Sequence, residues 1–265
     1  MKGREIHRGV ATALTLTCLS VAAGCHSATG PSDAVDGAGG DNDRPSIQAT
    51  LRWEEVKDGR NSAREEYASR MANCKAAGWP VKELGPDEIG KLGTGQVELW
   101  IDARGAYARE TSWKLGVMDM QAATEDKGAC MARLEEVVAE GNDDYRDRGE
   151  ADEAPGSAEQ DEQAKVLGFQ RIGVAQVGGQ PCMRWRSKDQ EVCEWSAGRA
   201  WGIDDGPAQT GCATQGPMDY LNPIPLQAKP AEGASGCIVQ LQSMTVSKGL
   251  LPEVARALGA TATGG

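Results

Sequence analysis

QVELWIDARGAYARETSWKL, residues 96–115, alternates apolar and polar side chains along much of its length. Val97, Leu99 and Ile101 take one phase and Glu98, Trp100 and Asp102 the other, the period-two pattern of a half-buried strand. Gln96 to Ala103 and Tyr107 to Leu115 flank Arg104-Gly105-Ala106, and a glycine at such a junction predicts a β-hairpin. One face of that hairpin is apolar and the other mixed. Ile47 to Glu54 (IQATLRWE) repeats the pattern with Ile47, Ala49, Leu51 and Trp53, so an antiparallel sheet with one covered face is expected.

A helix interrupts these strands. Ser62-Ala63-Arg64-Glu65 has the form of a capping box, and the helix should run to about Ala77 and stop at Gly78, with Pro80 beyond it. Tyr67, Met71 and Cys74 fall on one helical face, which turns Cys74 toward a partner on the sheet. Gly90 to Gly95 (GKLGTG) reads as a flexible turn; around Cys130 the spacing of Met131, Leu134 and Val138 suits a helix, while Cys130 to Leu134 equally suits an edge strand, which is the reading taken first.

Downstream, Val166 to Val177 carries Phe169, Ile172, Val174 and Val177. A second hairpin follows, PCMRWR at 181–186 returning as EVCEW at 191–195. With Ser187 and Lys188 at its tip, Cys182 faces Cys193, Arg184 faces Glu191 and Met183 faces Val192, so one register satisfies a disulfide, an ion pair and an apolar pair. Gly236 to Val246 predicts a late strand. Pro252 to Leu258 predicts a short helix with proline at its first position, and the tail from Ala260 should fray.

The beginning of the chain concerns address rather than fold. Lys2, Arg4 and Arg8 precede an uncharged stretch from Val10 to Ala23 and the small residues Ala22-Ala23-Gly24 before Cys25. This is the layout of an export signal, and the stretch is shorter than the roughly 20 apolar residues a membrane-spanning helix needs. Ala22 to Cys25 resembles the lipobox of bacterial envelope lipoproteins. The resemblance implies cleavage before Cys25, lipidation of that cysteine and, with His26 rather than aspartate following, sorting to the outer membrane. Cysteine parity points the same way. Once Cys18 leaves with the signal and Cys25 carries lipid, Cys74, Cys130, Cys182, Cys193, Cys212 and Cys237 can all pair, whereas unlipidated cleavage leaves an odd thiol. The hairpin pairs Cys182 with Cys193. Cys74 with Cys130 and Cys212 with Cys237 is the arrangement expected for the rest, although six cysteines allow many connectivities.

The organisation expected is therefore a signal peptide (1–24), a lipidated flexible tether (25–45), a first sheet lobe with its helix (46–138), an acidic disordered linker (139–164), a second sheet lobe (165–259) and a tail (260–265). The tether is nearly all Gly, Ser, Ala, Asp, Asn and Pro, which cannot bury enough apolar surface to offset ordering. From Glu140 to Glu162 ten acids face two arginines, a local −8 of the chain's formal −11. With the acidity so concentrated, the remaining body is near neutral, which removes the electrostatic basis for nucleic-acid binding.

Only His7 and His26 occur, outside the folded body, so Ser-His-Asp and Cys-His nucleophile pairs, histidine zinc sites and histidine general bases are excluded. No nucleophile-elbow, Walker or dinucleotide-binding motif is present. Neither a cofactor nor a metal is expected, and the chain is read as not an enzyme. A pair of carboxylates for cell-wall glycan hydrolysis is the third reading.

Seven tryptophans stand against four tyrosines and one phenylalanine. Most fall on expected strands, where tryptophan suits packing, an acyl-chain cavity or a sugar platform. The ELWIDARGAYARETSW stretch, the PCMRW…CEW hairpin and the late strand running into LLPEV resemble the outer-membrane lipoprotein carrier and receptor families, built on a curved antiparallel half-barrel wrapped on helices. The resemblance implies a cavity for an apolar ligand, with Trp100, Trp113 and Trp185 as candidate lining residues. The combined expectation is an α+β, sheet-dominated protein with a curved antiparallel sheet, one main helix and a short C-terminal helix. It would be held at the membrane by lipid and bind an apolar or envelope ligand or a protein partner without catalysis. A purely structural envelope module is the alternative.

Overall fold

The computed structural model describes residues 45–116, 122–123, 127–128, 130–144, 157–197 and 224–261. The first half forms β1 (Ser46–Lys57), β2 (Arg60–Asn61), α1 (Ser62–Ala76), β3 (Val81–Lys82), α2 (Pro86–Lys91), β4 (Thr94–Asp102) and β5 (Gly105–Leu115). Short strands β6 (Ala122–Ala123), β7 (Lys127–Gly128) and β8 (Cys130–Met131) lead into β9 (Leu134–Asp144) and α3 (Ser157–Val166). The rest is β10 (Gln170–Val177), β11 (Gln180–Arg186), β12 (Gln190–Trp195), β13 (Pro225–Pro230), β14 (Ser235–Ser247) and α4 (Pro252–Thr261). The signal peptide, Cys25, the tether up to residue 44, residues 145–156 of the acidic run, Trp201 and Cys212 lie outside the described residues, as does the tail beyond Thr261.

Ten strands make one antiparallel sheet in the order β10-β11-β12-β13-β14-β1-β4-β5-β9, with β2 appended to β1. The fold is α+β and sheet-dominated, and the sheet is open, ending at β10 and β9. β1 is central because alternation gives it one fully apolar face. Rows run across the sheet from Ile47 to Ile101 and Ala106, from Ala49 to Leu99 and Ala108, and from Leu51 to Val97, all buried. Each of the larger side chains among them stabilises by about 1.5–3 kcal/mol through burial. α4 packs across β4, β1 and β5 with Val254 fully buried, and Ala164 and Phe169 join the same core from α3 and its exit.

Trp53 and Gly95 sit opposite each other in this core. The indole lies across the bare glycine so that Nε1 donates to Glu110 Oε1 at 2.8 Å. A Cβ on Gly95 would stand 2.4 Å from Trp53 Cε2, so the glycine is needed for space.

On the other face, α1 and α2 cover one end of the sheet over a smaller cluster of Tyr67, Met71, Leu84, Leu92 and Ala132, with Leu115 and Leu134 beside it. Asn61 organises this layer. Its Oδ1 accepts from the Arg64 amide at 2.8 Å, and its Nδ2 donates to Leu92 O at 2.9 Å and to Glu54 Oε1 at 3.0 Å. The Tyr67 hydroxyl accepts from the Leu84 amide at 2.9 Å, and a Cys74–Cys130 disulfide joins α1 to β8.

Several local expectations give way to specific bonds. Asn61, not Ser62, caps α1, because its amide reaches the helix, Leu92 and Glu54 together; Glu65 pairs with Arg60 instead. The first hairpin turns at Ala103-Arg104, since Asp102 pairs with Gly105 and Asp102 Oδ1 accepts from the Arg104 amide at 2.7 Å. The second hairpin is shifted by two. Arg186 faces Glu191, Arg184 faces Cys193 and Cys182 faces Trp195, because Ser187 Oγ accepts from the Asp189 and Gln190 amides and closes the turn one residue later. The stretch read as a flexible turn at Gly90 to Gly95 ends α2 and begins β4, with Leu92, Thr94 and Gly95 buried. The segment read as a disordered linker, 139–164, begins inside β9 and ends inside α3. The lobes expected on either side share one sheet, joined where β1 pairs with β14. Helices number four among the described residues rather than two, and α4 continues past Ala260 to Thr261.

Candidate functional site

The uncovered stretch of the second sheet face is built from the polar phase of the strands that make the core. Its rows are Gln48-Trp100-Tyr107, Thr50-Glu98-Arg109-Glu140 and Arg52-Gln96-Thr111-Val138. All of these side chains are partly or well exposed, whereas on β1, β4 and β5 their neighbours in sequence form the buried rows beneath.

Two aromatic groups break the polar surface. Trp100 and Tyr107, directly opposite each other on β4 and β5, stack with ring centroids 5.4 Å apart and planes 30° apart. Burial, and then the hydrogen bond to Glu140, hold the Tyr107 phenol above its ordinary range. Glu140 also lies 3.9 Å from Arg109 Nε. At the helix-covered end Trp113 Nε1 donates to Glu136 Oε2 at 3.1 Å, and Lys91 Nζ stands 5.3 Å from the centre of its ring. The result is a polar surface with a stacked aromatic pair at its centre and Glu140 shared by Tyr107 and Arg109 beside it.

No family model and no curated protein matches the chain. Among solved structures it is similar to the MucA/MucB complex of Pseudomonas aeruginosa, with 11% identity over 80% of this chain and 56% of that chain at a TM-score of 0.31. MucB in complex with MucA(peri) gives 11% identity over 81% of this chain and 54% of that one at 0.31. MucB alone gives 12% over 82% and 58% at 0.29. The chain thus spans little more than half the length of the chains it matches, and a likeness of this depth assigns neither partner nor activity.

The three tryptophans singled out as ligand-lining separate. Trp100 and Trp113 lie on the open face. Trp185 is fully buried and contributes to the main core, where it faces Val192 on the covered side of β12; a period-two pattern fixes the phase of a strand but not which side acquires a cover. Trp53 and Trp195 are buried as well, the latter donating to Gln180 Oε1 at 3.2 Å. Tyr107, Arg109 and Glu140 were not singled out from sequence. The signal was the phase of Trp100, which it shares with Gln96 and Glu98 rather than with Val97 and Leu99.

Cys182 and Cys193 form a disulfide diagonally across β11 and β12. Cys237 is disulfide-bonded too, while the pairing expected for it involves Cys212, outside the described residues. Beside the hairpin, Glu191 gathers Arg186, Arg184 and Lys229 within 3.5 Å, and Arg186's hydrogen bond, aided by Lys229, holds its carboxyl below the ordinary range. The described carboxylates at Glu54, Asp102, Glu110 and Glu191 thus bond to guanidinium, amide or indole groups of the fold. Among the described residues, no three His, Cys, Asp or Glu side chains converge as metal ligands, and no helix is long and apolar enough to cross a membrane.

Proposed function

We propose that this protein is a bacterial envelope lipoprotein, cleaved before Cys25 and held by lipid at the outer membrane, whose sheet domain is a non-catalytic docking module for another protein. The docking surface is the open face centred on Trp100 and Tyr107. One observation carries the reading: this aromatic pair stacks on the polar face, while Trp53, Trp185 and Trp195 are packed into the core. A stacked aromatic pair set among polar side chains is the composition of a protein-contact centre. An acyl-chain site would call for an apolar concavity, and the polar rows around Trp100 favour a protein instead. Disulfides in the body fit an oxidising compartment.

A photo-crosslinking amino acid placed at Thr111, in the middle of the face, tests this in intact cells. The expected result is a covalent adduct with a protein that disappears when Trp100→Ala and Tyr107→Ala are combined. Adducts with lipid alone would overturn the docking reading in favour of an apolar ligand. Mass spectrometry of the amino-terminal peptide from membrane-extracted protein tests the anchor, and an unmodified terminus at Gly24 would sink it.

A further inference from the structure

β9 closes one side of the open face, and it is an unusual edge. It pairs with β5 over its whole length, from Gly105 opposite Asp144 to Leu115 opposite Leu134, with no register shift. Among the described residues the sheet ends there. Alternate backbone amides and carbonyls of such a strand point outward, ready to pair with another chain. The opposite edge, β10, differs: its pairing shifts between Arg171 and Gly173, and Gly173 has φ +135°. An irregular edge of that kind is blunted against addition; β9 is not.

The side chains of β9 specify what could be added. On the open face Glu136, Val138 and Glu140 follow one another; on the reverse are Glu135, Val137 and Ala139. Val137 is 40% and Val138 43% exposed, so each face presents an uncovered valine, between Glu136 and Glu140 on the open face and beside Glu135 on the reverse. A second copy of β9 laid on this edge would bring acids against acids, which destabilises a strand pair. A segment with lysine or arginine flanking aliphatic residues would bring cations to Glu136 and Glu140 and cover both valines.

Resting on the docking reading above, we infer that β9 takes up an extended basic segment of the partner as an additional antiparallel or parallel strand, its cations set against Glu136 and Glu140 and its aliphatic side chains against Val137 and Val138. Backbone pairing supplies affinity and the alternating side chains supply selectivity.

The test uses the disulfide-bonded protein extracted from membranes and three labelled nonapeptides with blocked ends. One alternates lysine and valine, the second alternates glutamate and valine, and the third is the lysine–valine peptide with alternate backbone amides methylated, which keeps the charge and removes strand pairing. The first should bind at least tenfold tighter than either control and slow hydrogen exchange of the β9 amides. Glu136→Lys with Glu140→Lys should weaken it at least tenfold, with an unchanged circular dichroism spectrum confirming the fold. Binding indifferent to methylation, protection confined to β10, or sedimentation showing a β9-protected dimer without peptide would each overturn the inference. Lys188→Ala, at the tip of the second hairpin, should leave peptide affinity within twofold. No cellular adduct at Thr111 while the peptide binds counts against the face, and an adduct at Thr111 without peptide binding counts against the edge.

Discussion

Replacing Gly95 by alanine adds one methyl group at a position where the core has no room for it. Gly95 has no positive φ, so its backbone accepts alanine and the cost arises from contact alone. The new Cβ would lie 2.4 Å from Trp53 Cε2 and 2.5 Å from both Cζ2 and Nε1, far inside van der Waals distance and against a rigid ring. Trp53 must swing off β4, which forfeits its 2.8 Å bond to Glu110. Overpacking of this kind costs about 1–3 kcal/mol and a hydrogen bond to a charged group about 1.5–3 kcal/mol, so Gly95→Ala should destabilise by roughly 3–5 kcal/mol. Urea unfolding followed by tryptophan fluorescence measures it. Gly90→Ala is the control: its Cβ meets nothing within 4 Å and it lies in α2, so it should be neutral or stabilise by up to about 1 kcal/mol. In a Trp53→Leu background Gly95→Ala should cost less than about 1 kcal/mol, because the ring it collides with is gone. A loss below about 1 kcal/mol in the native background, or an equal loss with and without Trp53, would refute the reasoning.

Other residues give simpler expectations. Asn61→Ala removes the cap of α1 together with the bonds to Leu92 and Glu54, and thermal unfolding should show a loss of about 2–3 kcal/mol, more than a cap alone contributes. Replacing Cys74 and Cys130 together by serine opens a closure of 56 residues, worth about 4 kcal/mol by chain entropy, whereas the 11-residue closure of Cys182 and Cys193 is worth about 3 kcal/mol; denaturant midpoints should fall in that order. The Glu191 carboxyl is depressed below 4.5 by Arg186 and Lys229. Its contribution is thus complete above that pH and lost as pH falls through the lower folded value. Glu191→Gln should flatten that part of an acid-unfolding curve while costing about 1 kcal/mol at neutral pH.

The central strands were legible because burial leaves a period. Ile47, Ala49, Leu51 and Trp53 on β1, and Val97, Leu99 and Ile101 on β4, mark the covered face unambiguously, and Gly78, at φ +69° just past the Ala77 cap, marks the stop of α1. The second hairpin shows where the method stops. A slip of two residues keeps every side chain on its own face, so the apolar pattern was blind to it, and the choice fell to a serine hydroxyl bridging two amides at the tip. β9 was missed for a different reason. As an edge strand it exposes Glu135, Glu136 and Glu140 along with its valines, and an acidic segment exposed on both sides looks like a linker. The single sheet was hidden by distance along the chain, since no local pattern announces that β1 will pair with β14.

That last pairing determines when the molecule can come into being. Ser46 finds Ser247 and Lys57 finds Ser235, so the middle of the sheet stays unmade until Ser235–Ser247 is available to pair. Closing so long a loop places the protein among slow folders, with the neighbouring edges of β1 and β13 bare in the interval. A chain cut short before Ser235 would leave Ile47, Ala49 and Leu51 without the strand that completes their row, and would be expected to present itself to the cell as a substrate for holdases and proteases.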